Sequence, residues 1–397
     1  MDEDEKARRR AVVRGCRKVL VGRGLAGVRE GAAAIARAAA EFAAEDEAPD
    51  VYGNGVVRRV EEEVAGALGT ADAAFFPTGT MAQQAALRAW AGRTGNPTVA
   101  LHPLAHPELH ERGALAVVSG LRTVHPTWEP RLPTAEEVRE FEEPFGTLML
   151  ELPLRDAGFV LPTWDELTGT VAAARDRDAV VHFDGARLWE CTAHFGRPLP
   201  EIAALADSVY VSFYKSLGGI SGAALAGSAD LIAEARTWRH RYGGMLYQQY
   251  PAALAALAGL RDELPRLPSY VAHAGPVARA LREGLAEAGL TWPRVHPPEP
   301  HTHQFQLWLP YRADVLNAAS LRQAEETGVS LFGSGLFREP ALPGLAMTEV
   351  TVAADALDWS EQDVRDAAAV FARCVTEAEA AEETPQAPQA PEASQAN

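Results

Sequence analysis

The sequence VVHFDGARLWE, residues 180–190, decides the fold, because an apolar run ends in a carboxylate that is followed by glycine and arginine. Val180, Val181 and Phe183 are typical of a buried strand. The carboxylate of Asp184 costs little free energy where it faces water, but at a covered site it is costly unless a cation meets it. We therefore expect a positively charged group opposite Asp184.

Short apolar runs recur on both sides of this stretch and alternate with helical sequence. Near-continuous apolar strands separated by helices are typical of a mostly parallel sheet that helices cover on both faces. The predicted fold class is α/β, with a large domain built on such a sheet and a smaller C-terminal α+β domain. The runs that predict the sheet are residues 73–77, 98–102, 116–120, 146–152, 179–184, 208–213 and 223–227.

The predicted domain organisation has four segments. Residues 1–26 form an N-terminal segment, whose first 12 residues are highly charged and are expected to be loose. Residues 27–265 form the large domain and residues 266–378 the small one. Residues 379–397 are rich in Pro, Gln and Ala and are predicted to be disordered.

Composition excludes several classes of function. The 397 residues carry a formal net charge of −17, whereas a nucleic-acid surface needs clustered Lys and Arg. The charged N-terminus argues against a secretory signal, and no uncharged apolar run reaches the ~20 residues that span a bilayer. Three widely spaced cysteines show neither a disulfide framework nor zinc spacing. We predict a cytoplasmic protein without a metal site and without nucleic-acid or membrane partners.

Three chemical groups follow strands of the predicted sheet. Ligands of such sheets bind at the carboxyl ends of the strands. Asp184 ends one strand, and Lys215 follows the run SVYVSF (208–213) just before the glycines of LGG. Lysine forms imines when its surroundings lower its pKa. The third group is the turn in FFPTGTMAQQ (75–84), which opens a helix.

The turn is suited to an anion. Free N–H groups at a helix N-terminus favour phosphate, Gly79 would let it approach the backbone, and the hydroxyls of Thr78 and Thr80 would donate to it. Pyridoxal phosphate needs a lysine for its aldehyde, an acid for its ring nitrogen and an anion pocket. We therefore predict this cofactor, with its protonated ring nitrogen opposite Asp184. Alone, TGT is more often a helix cap, and DGAR a turn with a surface ion pair.

Four stretches together resemble the threonine aldolases, in the β-eliminating-lyase group of the aspartate-aminotransferase-like, fold type I enzymes. They are DVYGNGVVRRVEEEVAGALG, FFPTGTMAQQAAL, HFDGARLWE and SFYKSLGGISGAALAG, and the resemblance covers about residues 52–248. It implies a pyridoxal-phosphate-dependent lyase that cleaves a threonine-like β-hydroxy-α-amino acid to glycine and an aldehyde by retro-aldol chemistry. Because a second subunit usually completes fold type I sites, we expect a homodimer or homotetramer.

The resemblance implies a role for each matching residue. Lys215 would form the internal aldimine, and Asp184 would pair with the pyridine nitrogen. Gly79 and Thr80 would hold the phosphate, with a further contact from Ser212. Arg187 would lie near the phenolic oxygen of the cofactor or near the substrate carboxylate.

The segment AHPELHERGALAVVSG (105–120) matches the one that carries the family's ring-stacking histidine. His106 aligns best, and His102 and His110 stay as alternatives. His106 would stack on the ring and could take part in proton transfer near neutral pH. Tyr52 would border the pocket from a loop, possibly in the partner subunit.

Two departures from the family pattern bear on the substrate. ELPLRDAG (151–158) stands where the family often has an ENTH-like stretch, and TEVTV (348–352) lacks the family's arginine for the substrate carboxylate. Arg338 is the nearest candidate for that role. The alternative that the protein is a β-eliminating lyase, transaldolase or racemase of the same fold therefore remains. A non-catalytic protein that binds the cofactor is a weaker alternative, because Lys215 and Asp184 are intact.

Overall fold

The computed structural model describes residues 3–22 and 26–383. Within these residues, the helices are α1 Glu3–Gly15, α2 Val28–Phe42, α3 Val56–Leu68, α4 Gly79–Thr94, α5 His106–Leu109, α6 Ala114–Val117, α7 Ala135–Glu140, α8 Trp164–Arg175, α9 Thr192–Phe195, α10 Leu199–Ala203, α11 Ala229–Arg241, α12 Tyr250–Asp262, α13 Leu267–Glu287, α14 Ala313–Thr327 and α15 Glu361–Glu383. The strands are β1 Lys18–Val19, β2 Asp72–Phe76, β3 Thr98–Ala100, β4 Arg122–Val124, β5 Thr147–Glu151, β6 Val180–Gly185, β7 Ser208–Ser212, β8 Ala223–Gly227, β9 Arg294–His296, β10 Gln304–Leu309, β11 Val329–Ser330 and β12 Ala346–Thr351. Short 3₁₀ helices span Leu188–Glu190, Leu264–Arg266 and Ala354–Asp358.

A seven-stranded sheet with the order β2-β8-β7-β6-β5-β3-β4 forms the centre of the larger part of the chain. Strands β7, β6, β5, β3 and β4 pair in parallel, and β8 runs antiparallel to both of its neighbours. Every residue of β5, β7 and β8 is buried, as expected for strands covered on both faces. The prediction of a mostly parallel sheet is confirmed.

Helices connect successive strands of the sheet, which allows the strands to run in the same direction. Helix α8 links β5 to β6 and begins at a capping box, in which Thr163 Oγ1 accepts from the N–H of Glu166 and the Glu166 carboxylate accepts from the N–H of Thr163. Such a cap satisfies two N–H groups that the first turn leaves unpaired. Because β5, β6 and β7 are parallel, their carboxyl ends lie at one edge of the sheet.

The chain divides into two compact units. One contains Leu25–Gly275 and His296–Gln306, and the other contains the described parts of Met1–Gly24, Pro276–Val295 and Leu307–Asn397. The predicted segment borders, after residues 26 and 265, stay predictions, since compactness alone does not show which parts fold independently.

The second unit has its own apolar core. The rings of Phe332, Phe337 and Phe371 pack with centroids 4.9–6.1 Å apart. Strand β1 pairs in parallel with β11 in this unit. Strand β12 also belongs to a three-stranded sheet with the order β12-β10-β9.

Two local predictions were wrong. The run AVVSG (116–120) is not a strand, because Ala114–Val117 is helical and the edge strand β4 begins at Arg122. The first 12 residues are not loose over their described part, because α1 starts at Glu3 and its Arg9 guanidinium donates to the Asn317 carbonyl and to Ser320 Oγ.

The C-terminal helix extends further than the sequence predicted. Residues 379–383 of the predicted disordered tail belong to α15, and residues 384–397 of that tail lie outside the described residues. In the part of the chain that the structure describes, no helix combines the length and apolar character needed to cross a bilayer.

Candidate active site

Asp184 lies at the carboxyl end of β6, between two parallel strands. It pairs in register with Glu151 of β5 and Tyr210 of β7, and it is 2% exposed. Its Oδ1 accepts from the N–H of Ala186 at 3.2 Å. Burial raises the pKa of the carboxyl, whereas the Arg187 guanidinium lowers it. A carboxylate held there is stabilised by any cation that docks against it.

Glu151 is a second buried carboxyl in the same register, which the sequence analysis did not single out. Its oxygens accept from the N–H of His106 at 2.7 Å and the N–H of Arg155 at 3.2 Å. Burial and the neighbouring Asp184 raise its pKa. Because two adjacent carboxylates repel, the pair favours holding a proton or a cation between them.

A buried hydrogen-bond chain lies behind Asp184. Trp90 Nε1 donates to Ser208 Oγ at 2.8 Å, and Ser208 Oγ in turn bonds to His182 Nδ1 at 2.7 Å. The Nε2–H of His182 then donates to Gln83 Oε1 at 2.6 Å. Burial lowers the pKa of His182 to about 3, which keeps the ring neutral. Among the described residues, Gln83 Nε2 has no partner in hydrogen-bonding geometry, yet the amide is close enough to lower the pKa of Asp184.

The three candidate histidines differ in how their ring nitrogens are used. His102 Nε2 donates to the Glu129 carbonyl at 2.6 Å and its Nδ1 accepts from the N–H of Leu104 at 3.0 Å, so both nitrogens serve the local fold. His106 begins α5, and its Nδ1 bonds to Glu111 Oε1 at 3.1 Å. The Glu111 carboxylate fixes the orientation of this ring and leaves Nε2 for other chemistry.

His110 is engaged by the unusual segment 151–158. Its Nε2 lies 2.8 Å from Asp156 Oδ2, and its ring centroid lies 5.2 Å from that of His106. Arg155 Nη1 lies 3.7 Å from the same Asp156 oxygen. The two charges that replace neutral residues of the family pattern are therefore close to the candidate site.

Helix α4 begins at the predicted anion turn. Thr78 is its N-cap and its Oγ1 accepts from the N–H of Met81 at 3.2 Å, which is the plain cap role that the sequence also allowed. A Cβ on Gly79 would lie 2.0 Å from Tyr210 Oη, so only glycine fits there. The start of α4 is thereby held against the strand next to β6, with Thr80 half-buried in its first turn.

Lys215 lies in a closed loop after β7. The N–H of Gly219 donates to the Phe213 carbonyl at 2.8 Å, which closes the loop. The Lys215 side chain is half-buried, with Nζ 4.8 Å from the Tyr214 ring centroid. Ser212, the last residue of β7, is fully buried and its Oγ has no hydrogen-bond partner in the described residues.

Arg187 follows β6, with its guanidinium carbon 5.4 Å from the centroid of the Phe159 ring. Its Nε is buried without a hydrogen-bond partner in the described part of the chain. Unsatisfied buried polar atoms are rare in folded proteins. Arg187 Nε and Ser212 Oγ, together with the glycine turn at residue 79, therefore fit a polar ligand that carries an anionic group.

Residues 27–306 match the family model described as beta-eliminating lyase. The chain belongs to this family. Because the matched range contains β2 to β8, the whole central sheet and all of the site described above fall within the family region.

Solved structures match almost the whole chain. A putative L-allo-threonine aldolase from Listeria monocytogenes EGD-E is 32% identical with a TM-score of 0.82, over 94% of this chain and 99% of that one. A putative aromatic amino acid beta-eliminating lyase/threonine aldolase from Exiguobacterium sp. 255-15 is 33% identical with a TM-score of 0.83, over 92% and 99%. Among curated proteins, the low specificity L-threonine aldolase of Escherichia coli (strain K12) is 31% identical over 245 residues, 60% of this chain and 73% of the relative.

These matches confirm the predicted family resemblance and the fold type I class. They leave the roles of individual residues of this beta-eliminating lyase family member as predictions.

Tyr52 and Arg338 are the two remaining residues predicted to bind the substrate. Tyr52 is about half exposed, has a φ of 53°, and its N–H donates to the Tyr247 carbonyl at 3.0 Å. Arg338 belongs to the other unit, where its Nη2 lies 3.2 Å from Glu349 Oε1.

Proposed function

We propose that this protein is a pyridoxal-phosphate-dependent aldolase that cleaves a threonine-like β-hydroxy-α-amino acid to glycine and an aldehyde. The observation that carries the proposal is the position of one amine. The sequence has three lysines, Lys6, Lys18 and Lys215, and Lys215 alone lies within the family region 27–306. It follows the strand adjacent to the one that ends in Asp184.

The buried polar groups of the site suit this cofactor. Lys215 would hold its aldehyde carbon, and Asp184 would hold the proton of its ring nitrogen. The turn of Thr78, Gly79 and Thr80 would hold its phosphate, with Ser212 Oγ as a donor. When bound, the cofactor supplies an electron sink for the substrate α-carbon.

The chain's own groups would prepare that chemistry. Burial disfavours the charged form of Asp184, so a protonated ring nitrogen and this carboxylate would stabilise each other. His106, oriented by Glu111, would cover the ring and exchange a proton through Nε2. Arg187 and Tyr52 are proposed to bind the substrate, and Arg338 stays the candidate for its carboxylate.

The test uses pure protein, pyridoxal phosphate and a panel of β-hydroxy-α-amino acids, with glycine and aldehyde measured as products. Lys215→Ala is expected to abolish turnover, because it removes the amine. Lys18→Arg, in the other unit, is the matched control and should keep wild-type turnover. A Lys215→Ala protein with the wild-type rate of aldehyde release would refute the assignment of the amine.

A β-eliminating lyase, transaldolase or racemase is the second candidate, favoured by the charged pair Arg155 and Asp156 beside the site. The same panel separates these activities, since β-elimination releases ammonia, a racemase changes only the configuration at Cα, and a transaldolase joins the amino-acid fragment to an added aldehyde.

We further propose that the protein forms a homodimer or homotetramer in the cytoplasm. Exposed Tyr52 and Tyr247, whose ring centroids are 5.6 Å apart, support a contact surface on this loop.

A further inference from the structure

A further buried carboxylate, besides Asp184 and Glu151, contacts the Lys215 loop. Glu190 ends the short 3₁₀ helix that follows Arg187, and it is 1% exposed. Its Oε2 accepts from the hydroxyl of Ser216 and lies 3.3 Å from His303 Nε2. We call Glu190, Ser216 and His303 the Glu190 cluster.

The Glu190 cluster is costly to bury. A carboxylate removed from water is destabilising unless partners restore its lost hydration, and Oε1 of Glu190 has no hydrogen-bond partner in the described residues. The imidazole of His303 lies beside this carboxylate, with Nε2 3.3 Å from Glu190 Oε2 and its ring centroid 6.0 Å from that of Tyr270. A hydrophobic side chain would fill the same space at a lower cost in free energy. We therefore expect Glu190 to have a role besides packing.

The cluster and its neighbour hold the Lys215 loop at two points. Trp189 Nε1 donates to the carbonyl of Ser212, three residues before the lysine, at 2.9 Å. Glu190 accepts from Ser216, directly after the lysine. Two consecutive residues of the segment that follows Asp184 and Arg187 therefore fix both sides of Lys215.

We propose that Glu190 is a positioning residue, which acts through Ser216 to aim the Lys215 amine, an inference that rests on the function proposed above. Hydrogen bonds to a charged acceptor are shorter and stronger than neutral ones. The bond therefore restrains the loop that carries Lys215. The charge of Glu190 serves to anchor a loop that must keep its geometry through each turnover.

The test measures how fast Lys215 captures pyridoxal phosphate, independently of catalysis. Cofactor-free full-length protein is mixed with pyridoxal phosphate, samples are reduced with borohydride at intervals, and the adduct on the Lys215 peptide is quantified by mass spectrometry. Ser216→Ala should slow capture about tenfold, because a displaced nucleophile reacts more slowly. Glu190→Gln keeps the shape but loses the charge and should slow it by a smaller factor. Since both changes act on the same contact, the double variant should be no slower than Ser216→Ala.

Two further variants separate positioning from general damage. Ser216→Thr keeps a hydroxyl and should restore most of the capture rate, whereas Ser228→Ala, at an exposed serine after β8, should leave it unchanged. A Ser216→Ala rate within twofold of wild type, with wild-type capture intact, overturns this inference alone. Wild-type protein that forms no Lys215 adduct overturns the proposed function and the inference with it.

Discussion

At the scale of single residues, the site depends on a carboxyl that the fold keeps away from water. Asp184 is buried and burial raises its pKa, so a bound cation would favour its ionised form near neutral pH. The same burial strengthens its interaction with that cation, because fewer waters compete. The residue is therefore poorly stabilised without a ligand and well matched to a protonated ring nitrogen.

We expect Asp184→Asn to lose activity about a hundred- to a thousandfold, the loss typical of one removed electrostatic contact at a reacting centre. The amide cannot hold the ring proton by charge, although it preserves the shape of the side chain. Aldehyde release under saturating pyridoxal phosphate measures the effect, with Asp165→Asn at an exposed position as control. Wild-type activity in Asp184→Asn would contradict the proposed role of the carboxylate.

The same substitution should change how stability depends on pH in the cofactor-free protein. Asp184 and Glu151 have raised pKa values in the folded state, so the folded protein binds their protons more tightly than the unfolded chain does. Their contribution to stability is complete below about pH 4, the ordinary carboxyl range, and is lost as the pH rises through the raised values.

Asn mimics the protonated form of Asp184 and does not ionise. We therefore expect the free energy of unfolding of Asp184→Asn to fall less steeply between pH 5 and pH 8 than that of wild type, by up to about 1.4 kcal/mol per pH unit. Urea unfolding at several pH values measures both slopes. Parallel slopes for the two proteins would show that Asp184 ionises normally.

At the scale of secondary-structure elements, the start of α4 is held closely against β7. A side chain at residue 79 meets the ring of Tyr210, with its Cβ 2.0 Å from Oη and 2.7 Å from Cζ. The Tyr210 ring is rigid and belongs to a buried strand. This clash can therefore be relieved only if the helix or the strand moves. This contact sets where the first N–H groups of α4 point.

Gly79→Ala should destabilise the protein by about 1–3 kcal/mol, as overpacking of a buried contact does. It should also weaken binding of pyridoxal phosphate, because the helix start moves. Gly92→Ala, in the same helix with open space around its Cβ, should instead gain up to about 1 kcal/mol from helix propensity. Thermal unfolding and cofactor titration compare the two variants, and an equally stable Gly79→Ala protein would contradict the packing argument.

The elements around the site were predictable where a strand showed a clear apolar run. The runs that end near Asp184 and Ser212 are buried strands, as predicted, and they pair in parallel. The run AVVSG was misread because so short an apolar run, of three residues, fits a strand or a helix equally, and Val117 proves to be largely exposed. Glu151 was missed because only the register between β5 and β6 brings it beside Asp184.

At the scale of the whole molecule, the proposed cofactor groups all lie in the unit made of Leu25–Gly275 and His296–Gln306. Ligand binding stabilises the folded form of the unit that holds the ligand. The three cysteines report on both units, since Cys191 belongs to this one and Cys16 and Cys374 belong to the other. All three are buried thiols, so each reacts with a thiol reagent only after its surroundings open.

We expect pyridoxal phosphate to raise the urea concentration at which Cys191 becomes reactive, because opening its unit then requires loss of the bound cofactor. Pulsed thiol labelling followed by peptide mass spectrometry gives one midpoint per cysteine. Cys16 and Cys374 should shift equally if the two units unfold together, and should stay unchanged if they unfold separately. Lys215→Ala is the control, since a chain without the holding amine should show a smaller shift at Cys191. An unchanged Cys191 midpoint in the wild-type protein at saturating cofactor would place the cofactor's binding energy outside this unit and contradict the site proposed here.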